Sequence, residues 1–117
     1  MILVRNEHYG EIKRRIELIR DKNEPKRLEY DCCKLKEEIL TEFGESVERD
    51  VLVPGRRYGT IGYSLGANAW RNGELVRSNG EIYLYLWTYY KDGFFRQNTA
   101  WGGTYESIIP GAPLIEL

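Results

Sequence analysis

The chain has 117 residues, with 17 Lys+Arg against 18 Asp+Glu and a formal net charge of −1, so it carries no global electrostatic footprint for nucleic acid or an anionic membrane. That length suits one domain, 1–117, able to bury roughly two-thirds of its unfolded surface without disulfide or metal staples. No apolar run approaches the roughly 20 residues of a membrane helix, and the start MILVRNEHYG is too short in apolar residues for a signal peptide, so the expected location is cytoplasmic.

Composition changes near residue 50. Residues 1–50 hold 11 Lys+Arg and 13 Asp+Glu, while 51–117 hold 6 and 5; aromatic residues split 3 to 12 and glycines 2 to 10. Helix-like composition thus gives way to strand-and-turn composition inside one domain, with no linker between the halves.

Met1–Arg5 reads as a short strand or arm. Tyr9, Ile12, Ile16 and Ile19 then recur at steps of three and four, which predicts an amphipathic helix ending near Lys22. Asn23-Glu24-Pro25 restarts the chain, with Asn23 or Glu24 as a cap and Pro25 in the first turn. A second stripe, Leu28, Cys32, Leu35, Ile39 and Phe43, predicts another helix stopped by Gly44 as a left-handed residue. Cys32 and Cys33 are adjacent on that helix, point about 100° apart and are expected to be free thiols in a reducing compartment. His8, the one histidine, has no companion for catalysis or a metal, and no metal or cofactor is expected.

Asp50–Val53 reads as a short strand closed by Pro54-Gly55, and 56–63 as the next. Ser64–Trp70 is ambiguous between loop, helical turn and strand. Asn72-Gly73 predicts a type I′ hairpin between 69–71 and 74–77, and Ser78-Asn79-Gly80 a further turn. A last strand is expected near Thr104–Ile109, followed by Pro110-Gly111-Ala112-Pro113 and an apolar tail, 114–117, that must dock on the domain or on a partner.

The central feature is Glu81–Trp101, a hairpin turned by Lys91-Asp92-Gly93 in a three-residue loop with Gly93 at positive φ. Side chains alternate along a strand, so Ile82, Leu84, Leu86 and Thr88 share one face and Tyr83, Tyr85, Trp87 and Tyr89 the other. On the return limb, Phe95, Gln97, Thr99 and Trp101 alternate with Phe94, Arg96, Asn98 and Ala100. The aliphatic face is expected to seat the helices. The aromatic face has three uses open to it: a core, a protein-binding or dimer surface, or a stacking platform for nucleotides or sugars.

No nucleophile and base pair with each other, because a serine mechanism using Ser64, Ser78 or Ser107 would have to recruit His8 from the other half of the chain. A glycosidase-like carboxylate pair such as Glu81 with Glu106 on adjacent strands is the form a hydrolase would take, and nothing in the sequence fixes their separation. Gly59-x-x-Gly62-x-x-x-Gly66 beside Arg56-Arg57 matches neither phosphate-binding fingerprint, and close strand contacts explain its glycines. The cations of the second half are five arginines, Arg56, Arg57, Arg71, Arg77 and Arg96, against one lysine, and arginine suits interfaces and carboxylate or phosphate partners.

The expectation is therefore an α+β protein: an N-terminal antiparallel helical hairpin (1–44) on one face of a five- or six-stranded, mostly antiparallel curved sheet (45–117). It would act as a non-enzymatic recognition protein of inhibitor or immunity type, viral counter-defence included. Its means would be an aromatic and arginine-rich surface of Tyr85, Trp87, Tyr89, Arg96 and Trp101 that occludes a partner protein, with self-association open. The alternative is a small nucleotide or sugar binder using Arg56, Arg57, Arg96 and Asn98, and a small hydrolase is the second alternative.

Overall fold

In the computed structural model, which describes residues 1–22, 28–64, 68–77, 81–97, 102–108 and 112–117, a seven-stranded mixed sheet carries its two long helices on one face. At 20–22, 28, 64, 68–71, 74–77 and 81 the structure describes the backbone alone. The elements in chain order are β1 (Ile2–Val4), α1 (Tyr9–Lys22), α2 (Leu28–Phe43), β2 (Gly44–Ser46), β3 (Arg57–Ser64), β4 (Asn68–Arg71), β5 (Glu74–Arg77), β6 (Glu81–Tyr89), β7 (Phe94–Arg96), β8 (Gly102–Thr104), α3 (Tyr105–Ile108) and β9 (Leu114–Glu116).

The strand order is β2-β1-β9-β3-β6-β7-β8, and β4 with β5 form a separate two-stranded ladder. The long pairing of β3 with β6 runs from Arg57 opposite Thr88 to Ser64 opposite Glu81. The expected five or six strands are thus corrected to seven, and the mostly antiparallel pairing holds with one parallel pair, β1 with β9. The apolar tail becomes β9, inserted between β1 and β3, antiparallel to β3 and parallel to β1, with Leu114 and Ile115 fully buried. Spacing along the chain does not reveal this, because the pairing joins residues at opposite ends of the sequence.

Both helical stripes pack as their spacing predicts. Ile12, Ile16, Cys32, Leu35 and Ile39 meet Val4, Ile61, Ile82 and Ile115 in one buried cluster. His8 stacks on Phe43 at 4.4 Å, and Arg15 binds Glu42, so the first turns of α1 lie beside the last turn of α2 and the two helices run in opposite senses. The cap at 23–25 and the turn at 78–80 lie outside the described residues, as do 65–67. Cys32 is buried and Cys33 exposed, both as free thiols, and burial pushes the Cys32 thiol above its usual value.

The two turns with the strongest local signals form as expected. Asn72 and Gly73 both have positive φ, 51° and 80°, as a type I′ turn requires. Gly93 has φ 85°, donates its N–H to the Tyr90 carbonyl at 3.0 Å, and Tyr90 N–H in turn bonds Phe94 O at 2.9 Å, closing the three-residue loop.

Three local expectations are corrected. Gly44 does not end α2 in the left-handed region; it opens β2, and a Cβ there would lie 2.5 Å from the Leu40 carbonyl oxygen and 2.9 Å from Ile2. Asp50–Val53 is not a strand: Asp50 and Val51 belong to a 3-10 turn, Arg49–Val51, after which Leu52 enters the interior while Val51 and Val53 stay outside. Over 104–108 the expected strand is instead the end of β8 followed by α3, because Tyr105 and Ile108, three apart, then bear together on the core, and residue 109 lies outside the described residues.

Candidate functional site

The register separates the two faces of the sheet residue by residue. Directly opposed residues share a face, so Ile82, Leu84, Leu86 and Thr88 on β6 go with Tyr63, Ile61, Gly59 and Arg57 on β3, and with Arg96 on β7. This is the helix side. The other side carries Tyr58, Thr60, Tyr83, Tyr85, Trp87, Tyr89 and Phe95.

The aromatic side is a second core. Leu3, Leu52, Tyr58, Trp87, Phe95 and Leu114 form a buried cluster there, with Met1, Val47, Tyr85, Tyr89, Tyr105 and Ile108 packed around it. Trp87 is only 4% exposed, and its indole N–H donates to the Thr60 hydroxyl at 2.9 Å. Tyr85 is half-buried, with its hydroxyl 3.5 Å from the Tyr63 carbonyl and its ring across Gly62, where a Cβ would come within 2.4 Å of the ring. Tyr89 is half-buried against Phe95, ring centres 5.0 Å apart. Tyr85, Trp87 and Tyr89 therefore do not share a surface with Arg96, whose side chain leaves the opposite face. Trp101 and Asn98 lie outside the described residues.

The helix side offers a different surface. The helices cover Ile82 and press on Leu84, but Leu86 is 46% exposed. Beyond it Tyr90 and Phe94 are 43% and 39% exposed, and Arg57 is exposed as well. Alternation places Leu86 on the helix face without stating how far along the strand a helix reaches. The arginine is held among the rings: Arg96 stands 4.8 Å from the Tyr90 ring centre and 5.2 Å from that of Phe94, and binds Asp92 at 3.0 Å. Asp92 also accepts the Phe94 N–H at 3.0 Å, and these bonds, the Arg96 guanidinium first, hold its carboxyl below the usual carboxylate range.

The two adjacent arginines of the alternative ligand set part company. Arg56 reaches the Leu117 carbonyl at 3.3 Å and the Glu116 carboxylate at 3.6 Å, so it ties down β9. The Arg57 side chain has no ion pair or hydrogen-bond partner among the described residues. Gly59 and Gly62 of the glycine spacing lie within β3, facing Leu84 and Tyr85, while Gly66 is outside the described residues. Among the described residues no group of three or more His, Cys, Asp or Glu could hold a metal ion, and no helix is long and apolar enough to cross a membrane.

Comparison of the chain with protein-family models, with curated proteins and with solved structures returns no match.

Proposed function

We propose that the chain is a non-enzymatic recognition protein that covers a site on a partner protein, and that its binding face is the helix-side end of the sheet around Leu86, Tyr90, Phe94, Arg57 and Arg96. The observation that carries this reading is the exposure of Leu86, Tyr90 and Phe94, 46, 43 and 39%, beside two arginines on a sheet face that the helices leave uncovered. Contiguous exposed apolar side chains on a small protein mark contact surfaces, and aromatic residues with arginine carry the strongest contacts at such surfaces. The ion pair and ring contacts of Arg96 hold that side chain in place before binding, which lowers the entropy lost on association. Inhibition by occlusion is the corresponding mode of action, since a rigid sheet face can block a partner without chemistry of its own.

A photo-crosslinking amino acid placed at Phe94 or Tyr90 tests this. In an extract of the cells that make the protein, either position is expected to yield one adduct of defined mass, while the same probe at Tyr30, 58% exposed on α2, yields none. Equal labelling from both faces, or none from Phe94 and Tyr90, would overturn the assignment.

A further inference from the structure

We infer that the partner surface seated on this face is acidic, presenting an Asp or Glu carboxylate to Arg57 with apolar side chains on either side of it. The inference rests on reading this face as a protein-binding surface and adds the chemistry of what binds there.

Arg57, Thr88 and Arg96 are direct neighbours across three adjacent strands. At about 4.8 Å between strands, the row spans about 10 Å. Leu86 lies two residues along β6 from Thr88 on the same face, and Tyr90 follows at the end of the strand. A partner that covers Leu86 and Tyr90 must therefore also take Arg57 out of water.

The two guanidinium groups are not equivalent under such a cover. Arg96 already has Asp92 at 3.0 Å and two rings beneath it. Arg57 has no anion and no acceptor among the described residues, and its sequence neighbour Arg56 is directed to Leu117 and Glu116. Removing an unpaired guanidinium from water is strongly unfavourable unless an acceptor arrives with the partner, and a carboxylate supplies two acceptors in the fork geometry arginine prefers. The wider charge balance points the same way. Among the described residues, Arg57 and Arg96 share this end of the sheet with Asp92 as the one carboxylate bonded to either, in a chain whose net charge is −1. A second copy of the chain would bring the same excess of cations, and like charges meeting across an interface oppose association.

Selection of a displayed random-peptide library on the intact protein tests this. Enriched peptides are synthesised and their affinities measured against the wild type, Arg57→Glu, Arg57→Gln and Leu86→Asp, each checked for unchanged thermal unfolding. The expected consensus carries Asp or Glu beside Leu, Phe or Trp; Arg57→Glu weakens binding at least about tenfold and Arg57→Gln less. Affinity for such peptides falls as NaCl rises from about 50 to about 300 mM, as screening of a charge pair requires. Neutral or basic peptides that are lost with Leu86→Asp but indifferent to Arg57→Glu would overturn the acidic partner and leave the binding face standing. Peptides indifferent to Leu86→Asp, or no enrichment at all, would overturn both.

Discussion

Trp87 shows how one hydrogen bond assigns a residue that composition leaves open. Its ring is buried among Tyr58, Phe95 and Leu114, and its N–H is satisfied by Thr60, itself 7% exposed. Trp87→Ala should destabilise the domain by about 3–5 kcal/mol, as large core truncations do. Thr60→Val keeps the packing but strands the indole N–H, and should cost about 1–3 kcal/mol. Urea denaturation of both variants checks this, and a Trp87→Ala protein as stable as the wild type would return the residue to the surface. Glu11 gives a second residue-level test. Its pKa is lowered from 4.5 to about 2, first by the hydrogen bond from Arg14 and then by that from Arg15. A depressed pKa means the interaction stabilises the fold above the ordinary value of 4.5 and is lost as pH falls towards about 2. The difference in Tm between wild type and Glu11→Gln should therefore be largest near neutral pH and close as the solution is acidified through this window. Because Glu11 is on the surface, the effect is small and should shrink in salt.

At the scale of elements, β9 and β6 make opposite uses of apolar side chains. β9 completes the sheet: Ile115 stands opposite Val4 and Gly59 and belongs to the cluster under the helices, while Glu116 is gripped by Arg5 and Arg56. β6 begins under the helices at Ile82 and emerges from them at Leu86. Ile115→Ala should cost about 2–5 kcal/mol, whereas Leu86→Ala, on an exposed strand position, should stay within about 1 kcal/mol. Parallel urea titrations of the two variants separate a residue that holds the fold from one available for contact, and a large loss from Leu86→Ala would show that this part of β6 is core. The strand–turn–strand unit of β6 and β7 was legible in advance because Gly93 and the 82–89 alternation are local signals. The place of β9 was not, since its partners Leu3, Val4 and Tyr58 are distant in sequence.

The whole molecule is a sheet with a core on each side: helices α1 and α2 close one, and Leu52, α3 and the chain around Met1 and Ala112 close the other. Strands β1, β3, β6 and β9 contribute residues to both, so the two cores should not melt separately. Ile39→Ala on the helix side and Phe95→Ala on the aromatic side should each shift a single transition, with near-ultraviolet and far-ultraviolet circular dichroism coincident. Two separated transitions would show that the layers are independent. This arrangement also explains where a binding surface is found. The aromatic side is closed by its own chain, and the helices pack on β1, β2, β3 and the Ile82 end of β6, leaving Leu86, Tyr90, Phe94 and Arg57 in solvent.

By itself the sequence determined what depends on neighbours along the chain. The helical stripes, the Asn72-Gly73 and Gly93 turns, the opposed faces of β6 and the absence of a charge bias all follow from local spacing and backbone freedom. Tertiary structure decided what depends on distant contacts: the insertion of β9, the turn that buries Leu52, the second core over Trp87, and the division of Arg56 from Arg57 between fold and surface. Alternation states which side of a strand a residue leaves. Only packing states whether anything covers it, and at Leu86 nothing among the described residues covers it fully.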